Sequence, residues 1–548
     1  MSQLNRTFVL AADEGLCERS SAVLTKLDLT PKKPVVITDP QTGVSKKIHG
    51  SFLHMTDFHP KLYFLPGSDI TKACHLGVGK ASKYEDPILG CDYPMDLVHG
   101  TIDWIQKNLK DKIDFIVWTG DNMRHDNDRD YPRYETDIFE MNEKIANLMN
   151  DNFGDLPIPS LLPNDVYPHN MFAMGPSFQT RRHVFSNGVY YFRDVIPNHL
   201  AVLSINTLYL FHANPLVNSC DKRKDPGYQL FLWLGYTLKE MRKTNMKVWL
   251  TGHLPPSAKN YDISFSENVI VGSVHGHMNI DHFIPLDYRQ AFNSMEQKFK
   301  RLGQLRGHFQ TENLSVDETM HDLNETLEEI YASFNDSIYN DNVADMLGFD
   351  LSFRKNIRIK GRVPTNKVEF METVRSPMYA SIACKKKSGV FGDRYSIALV
   401  APSVIPTFNP TIRVLEYNIT DSHDVQSASI PSWDEFFFKP NRILEDDTLD
   451  ELTYDEDELD VRVQQYQVLS KHPDKSAPPI MPKSKHLGPA YMPQLFTPQR
   501  YVQYYLDFKA VNKGDKPFEF EIEYTTEKDY GLKDLIVQVW LKFGRKIG

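Results

Sequence analysis

The segment FLHMTDFHP, starting at Phe52, sets Asp57 and His59 one residue apart behind an apolar run. A carboxylate beside an imidazole is costly inside a strand but useful as a pair of metal ligands. The pattern recurs along the chain. KIDFIVWTGD ends on Asp121, with His125 four residues further on; LTGH ends on His253; HGHMNIDH supplies His275, His277, Asn279 and His282. Any one of these residues alone is more often a turn residue than a ligand. D-x-H, GD-N, GH and GH-x-N, in that order and each behind an apolar run, form a specific joint pattern. Two divalent ions about 3.5–4 Å apart need mixed nitrogen and oxygen ligands and a carboxylate able to bridge them. Such a pair clamps a phosphoryl group and lowers the pKa of a bound water towards neutrality.

The elements that must position these residues are legible as alternating periodicities. SFLHMTD, KIDFIVWTGD, LAVLSINTLYLF, KVWLTGH and NVIVGSVHGH read as strands. PMDLVHGTIDWIQKNL, TDIFEMNEKIANLMNDNF and QLFLWLGYTLKEMRKT have apolar residues at helical spacing. The alternation predicts an α/β sheet, mostly parallel within each unit, and the carboxyl ends of such strands converge on one crevice. Residues 1–47 are polar with one β-like stretch, 48–290 form the core, and 291–390 read as a charged insertion. Residues 391–425 return to strands that close the core, and 426–548 are acidic and Pro-rich at first, then hardest to read.

The chain has 548 residues and a net charge of −10, which excludes a global basic signature for nucleic acid. A local site can still take an anionic substrate. The five cysteines fit no zinc ribbon or finger. Cys74 and Cys91 flank a loop rich in Gly and Lys, a spacing that suits a disulfide. Sequons stand at Asn5, Asn313, Asn324, Asn335 and Asn418. No run of about 18 apolar residues is present, and neither a signal peptide nor a membrane anchor is visible.

The ordered motifs resemble those of the calcineurin-like metallophosphoesterases, within them the acid sphingomyelinase-like branch. The segments KIDFIVWTGDNMRHDNDRDYPR, NDVYPHNMF, LAVLSINTLYLF, GHMNIDHF, PSVIPTFNP and GPAYMPQLFTP closely resemble the fungal vacuolar endopolyphosphatase family over roughly residues 25–535. The resemblance implies a four-layer α/β/β/α sandwich with insertions and an irregular C-terminal extension. It implies two divalent metal ions (Mn, Zn, Mg or Co), with Asp57 and His59 on one, Asp121 bridging, and His253 and His277 on the other. Asn279 stands where many relatives carry a second His of the GH-x-H motif. His125 takes the place of the group that contacts phosphate or assists the leaving group. Two departures stand out: Leu162 and Pro163 replace the family's Gly-Asn, leaving Asn164 as the nearest substitute ligand, and Cys220 lacks the loop that would carry its partner.

Polyphosphate fits better than a lipid, because no Cys-rich saposin-like segment precedes the core and basic residues gather beside the motif loops. They are Lys72, Lys80 and Lys83; Arg124, Arg129 and Arg133; Arg181 and Arg182; and Lys222, Arg223 and Lys224. Arg124 and Arg129 are the expected substrate contacts. The resemblance implies the lumenal side of the vacuolar membrane, with an N-terminal anchor in relatives. Two other readings stay open: a lipid or nucleotide phosphodiesterase of the same fold, and a non-catalytic polyphosphate-binding relative, favoured by Pro163.

Overall fold

The structure is a computed structural model. It describes residues 32–38, 43, 45–84, 91–125, 128, 130–160, 189–210, 225–256, 269–287, 371, 374–383, 395–404, 409–420 and 487–548. Asn164, Arg129, the departure at 162–163, Cys220 and the sequons at Asn313, Asn324 and Asn335 lie outside these residues, as does most of the charged insertion.

A hairpin, β1 (Val35–Thr38) and β2 (Ser45–Ile48), precedes the first core strand, β3 (Ser51–Met55). Its side chains alternate between two buried faces, as period-2 geometry requires of a strand covered on both sides. Leu53 and Met55 meet α1 (Met95–Asn108) and α2 (Glu135–Phe153), whose apolar stripes include Leu97, Val98, Ile102, Ile138, Met141 and Ile145. Phe52 points the other way. It stacks on Phe115 of β4 (Phe115–Trp118) and meets Trp249 of the second sheet edge-on.

The second sheet runs β5 (Tyr191–Ile196), β6 (Leu200–Ser204), β7 (Lys247–Gly252), β8 (Ile270–His275), β10 (Tyr395–Val400) and β9 (His282–Asp287), in that spatial order. Its outer face, Ala201, Leu203, Val248 and Leu250, packs on Leu230, Trp233, Leu234 and Leu238 of α3 (Pro226–Lys243). The layers are therefore helix, sheet, sheet, helix. Strand β6 ends at Ser204, earlier than the run LAVLSINTLYLF suggests. The Asn206 side chain accepts from Leu208 N (3.1 Å), and this local turn opens a short 3₁₀ segment, Thr207–Leu210.

The first sheet is completed from far along the chain. β11 (Thr411–Tyr417) pairs antiparallel with β3, then β12 (Pro498–Leu506) with β11 and β13 (Phe520–Thr525) with β12. The core thus continues past residue 425, into the segment read from sequence as an extension. Between and after these strands come α4 (Phe508–Lys513) and α5 (Val537–Ile547), the latter burying Trp540 and Leu541 against the inter-sheet core. Parallel pairs β3–β4 and β6–β7–β8–β10 point their carboxyl ends to one edge of the sandwich.

Candidate metal centre

The loops that leave β3, β4, β7 and β8 are tied to one another by backbone bonds. Asp57 N donates to Gly120 O (2.9 Å), Phe58 N to Asp121 O (2.9 Å), and Gly276 N to His253 O (3.0 Å). These ties bring Asp57, His59, Asp121, His253 and His277 together. His59 Nε2 lies 3.5 Å from Asp57 Oδ1 and 3.4 Å from Asp121 Oδ2; His253 Nε2 lies 3.4 Å from the same Asp121 oxygen and 3.3 Å from His277 Nδ1. Ligands about 2.0–2.2 Å from a common ion stand roughly 3–3.4 Å from each other. Two groups able to hold a cation result, Asp57–His59–Asp121 and Asp121–His253–His277, and Asp121 belongs to both.

The imidazoles are aimed. His59 Nδ1 donates to Met123 O (2.7 Å) and His253 Nδ1 to Thr119 O (3.0 Å), so each presents Nε2 to the cluster. Thr56 Oγ1 donates to Asp57 Oδ2 (2.5 Å), and His277 N donates to the same oxygen (3.2 Å). The backbone is held against its preference. Of ten non-glycine residues with positive φ among the described residues, five are Asp57, His59, Asp121, His277 and Asn279. Such conformations cost roughly 1–3 kcal/mol each and persist where the surroundings over-determine them. Gly276 is required by close approach: a Cβ there would collide with Thr56 Oγ1 and stand 2.9 Å from Asp57 Oδ2.

Electrostatics agree with a cation site. Burial depresses the His59 imidazole, but the carboxylates of Asp121 and Asp57 outweigh it and raise it to about 10. His253 is raised by the same two carboxylates against its burial. Burial opposes ionisation of Asp121, yet His59 and His253 hold it well below the usual carboxylate range. The field that keeps protons on these rings is one that a divalent cation would answer. Asn279 adds a buried Oδ1 with no hydrogen-bond partner, the kind of orphaned acceptor a cation satisfies. The residues present therefore fit a metal pair.

His125 stacks on His59, ring centroids 4.4 Å apart. Its Nδ1 donates to Asp92 Oδ1 (2.7 Å) and its backbone N to Asp92 Oδ2 (2.9 Å). The His125 side chain is 59% exposed and Asp92 only 6%. Asp92 is a candidate site residue that the sequence did not point to; its one signal was its place directly after Cys91. Cys74 and Cys91 are joined, Cα atoms 6.0 Å apart, and the bridge anchors the segment carrying Asp92.

Other expected residues stand differently. Arg124 is buried, and its guanidinium donates to Tyr131 O (2.6 Å). Its chain neighbour His125 faces out while Arg124 turns inward to brace the loop, so the structure gives it a supporting position in place of a substrate contact. His275 is buried, which pushes its imidazole down to about 3 and leaves it neutral inside β8. Asn418, half-buried, donates its amide nitrogen to Gln494 O (3.0 Å), so the atom a glycan would need is engaged.

A four-layer sandwich with this array at the carboxyl ends of its strands defines a metallophosphoesterase-type protein. No family model matches the chain. Among curated proteins it is 47% identical to an endopolyphosphatase of Debaryomyces hansenii, over 96% of this chain and 80% of that protein. It is 39% identical to an endopolyphosphatase of Saccharomyces cerevisiae (98% and 88%) and 31% identical to one of Schizosaccharomyces pombe (92% and 84%). The chain belongs to the endopolyphosphatase family.

Proposed function

We propose that this chain is a metal-dependent endopolyphosphatase that hydrolyses internal phosphoanhydride bonds of inorganic polyphosphate to shorter chains. The observation that carries the reading is Asp121, one carboxylate shared by two ligand groups. Asp57, His59 and Asp121 would hold one divalent ion and Asp121, His253 and His277 the other, with Asn279 completing the set and Mn or Zn matching the imidazole-rich donors. When bound, such a pair polarises phosphoryl oxygens and acidifies an attacking water.

The chain's own groups do the rest. Asp92 accepts from Nδ1 of His125 and fixes the ring's orientation; in the imidazolium form Nε2–H then delivers its proton to the departing phosphate oxygen and leaves the Nδ1–H tautomer behind. The stacking on His59 keeps that ring over the cluster. Asn164 stands in for the missing Asn of the Gly-Asn motif, and Arg129 meets the polyanion.

The Cys74–Cys91 bridge supports an oxidising compartment, in keeping with the vacuolar lumen. No helix among the described residues is long and apolar enough to cross a membrane. Incubation of the purified chain with long-chain polyphosphate, followed on a gel, tests the reading. The whole ladder should shift to intermediate lengths, stop with chelator and resume with Mn or Zn. Release of orthophosphate with the long chains otherwise intact, or no shortening at all, would refute it.

A further inference from the structure

We infer that the disulfide-tied loop beside the metal centre is a membrane-docking element that seats the protein on an anionic phospholipid surface. The loop leaves the core directly after His59 and returns at Cys91. Of the eleven large hydrophobic side chains exposed among the described residues, five fall within 62–78: Leu62, Tyr63, Leu65, Leu76 and Val78, the last 96% exposed. A sixth, Tyr131, stacks on Tyr63 with centroids 4.3 Å apart.

This exposure is not a failure to find an interior. The loop has a small core of its own, Phe64, Cys74, Ala81 and Cys91, and the five side chains turn away from it. Nor is the loop loose. Leu65 N donates to Cys74 O (2.9 Å), Gly67 N to Ala81 O (2.7 Å), Asp69 N to Leu76 O (2.9 Å) and Gly79 N to Gly67 O (2.8 Å). Val78 sits at the tip between Gly77, at φ 73°, and Gly79, where a Cβ would stand 2.6 Å from the Asp69 Cα. The backbone is built tightly to hold a bare valine out into the surroundings.

Charge selects the occupant. Lys72, Lys80 and Lys83 are exposed in the same loop. Among its described residues, 61–84, the only acid is Asp69, and that carboxylate caps the short turn at Thr71; Glu85 and Asp86 follow in sequence, outside the described residues. Aliphatic tips interleaved with lysines, with tyrosines at their margin, match a bilayer: apolar groups enter the acyl boundary while cations meet anionic headgroups. A track for free polyphosphate would use the lysines but has no use for Leu65, Leu76 and Val78. Because the loop begins at His59 and ends beside Asp92, docking would bring the opening of the metal centre up to the lipid surface.

Co-sedimentation of the full chain with phosphatidylcholine vesicles, with and without phosphatidylserine, tests this. Binding is expected to the phosphatidylserine vesicles and to weaken as salt rises. The double change Leu76→Asp and Val78→Asp should lower the bound-to-free ratio about tenfold or more, with melting temperature unchanged and hydrolysis of soluble polyphosphate within about twofold. Lys72→Glu, Lys80→Glu and Lys83→Glu together should abolish the preference for phosphatidylserine. The inference is overturned if the wild-type chain ignores both vesicles, or if the apolar changes leave binding intact while free polyphosphate competes it away. It is equally overturned if the apolar changes instead abolish a dimer on gel filtration, the mark of a second copy covering the patch.

Discussion

The β3–β4 pair has aspartates at both ends, buried Asp114 just before β4 and, beyond the carboxyl ends, buried Asp57 and half-buried Asp121, and the two ends treat a carboxylate in opposite ways. At the amino-terminal end, Asp114 accepts from His49 N (2.7 Å), Gly50 N (2.7 Å), Ser51 N (3.0 Å) and the Tyr417 hydroxyl (2.6 Å). The protein supplies donors from three strands' worth of chain, and the charge is spent on holding β2, β3, β4 and β11 in register. At the carboxyl end, Asp57 and Asp121 crowd each other and two imidazoles from left-handed backbones. There the protein leaves negative charge for something else to answer. The same residue type in the same sheet is architecture where donors saturate both of its oxygens, and a candidate ligand where one oxygen is left facing imidazoles, as Asp57 Oδ1 faces His59 and His253.

The largest test of this contrast is Asp57→Asn. Loss of a ligand charge should lower polyphosphate hydrolysis about 10³-fold or more, since the several kcal/mol that metal catalysis supplies convert at tenfold per roughly 1.4 kcal/mol. The melting temperature should fall far less than for loss of Asp114, because the Asn amide oxygen can still accept from Thr56 Oγ1 and His277 N. A large fall in stability would place Asp57 with Asp114 as architecture. The converse is Asp114→Ala, which strands three backbone N–H groups and a buried hydroxyl. Denaturant unfolding should show a loss of about 4 kcal/mol, while turnover per folded molecule stays near wild type. Lower turnover without lower stability would break the comparison. A smaller effect belongs to Asp92→Asn, which keeps the shape but removes the charge orienting His125. It should lower kcat about tenfold with KM little changed, a split that a purely structural role would not produce.

Much of this was legible because the chain announces its site by violating its own pattern. Each candidate ligand breaks an apolar run at a strand end, as in FLHMTD and WLTGH, and a sheet gathers strand ends. Asp114 and Asp92 were not legible. A single acid in KIDF looks like a strand margin, and the three amides it binds lie about sixty residues upstream. Asp92 reaches His125 across 33 residues of chain, from the end of a loop tied by a disulfide. The left-handed backbones carried no signal either, since no glycine occupies those positions. Strands β12 and β13 hid because RYVQYYLDF follows a Pro-rich stretch and carries polar residues, whose partners are buried: Arg413 Nε donates to Gln503 Oε1 (3.1 Å) in the middle of the first sheet.

Everything turns on whether Asp121 is shared between two cations. Metal content of the purified chain after equilibration with Mn or Zn, compared with Asp121→Asn treated identically, asks this directly. The account predicts two ions per wild-type chain. In Asp121→Asn at least one ion should be lost, with hydrolysis gone and the fold intact. The same metal stoichiometry and the same hydrolysis in both proteins would contradict it.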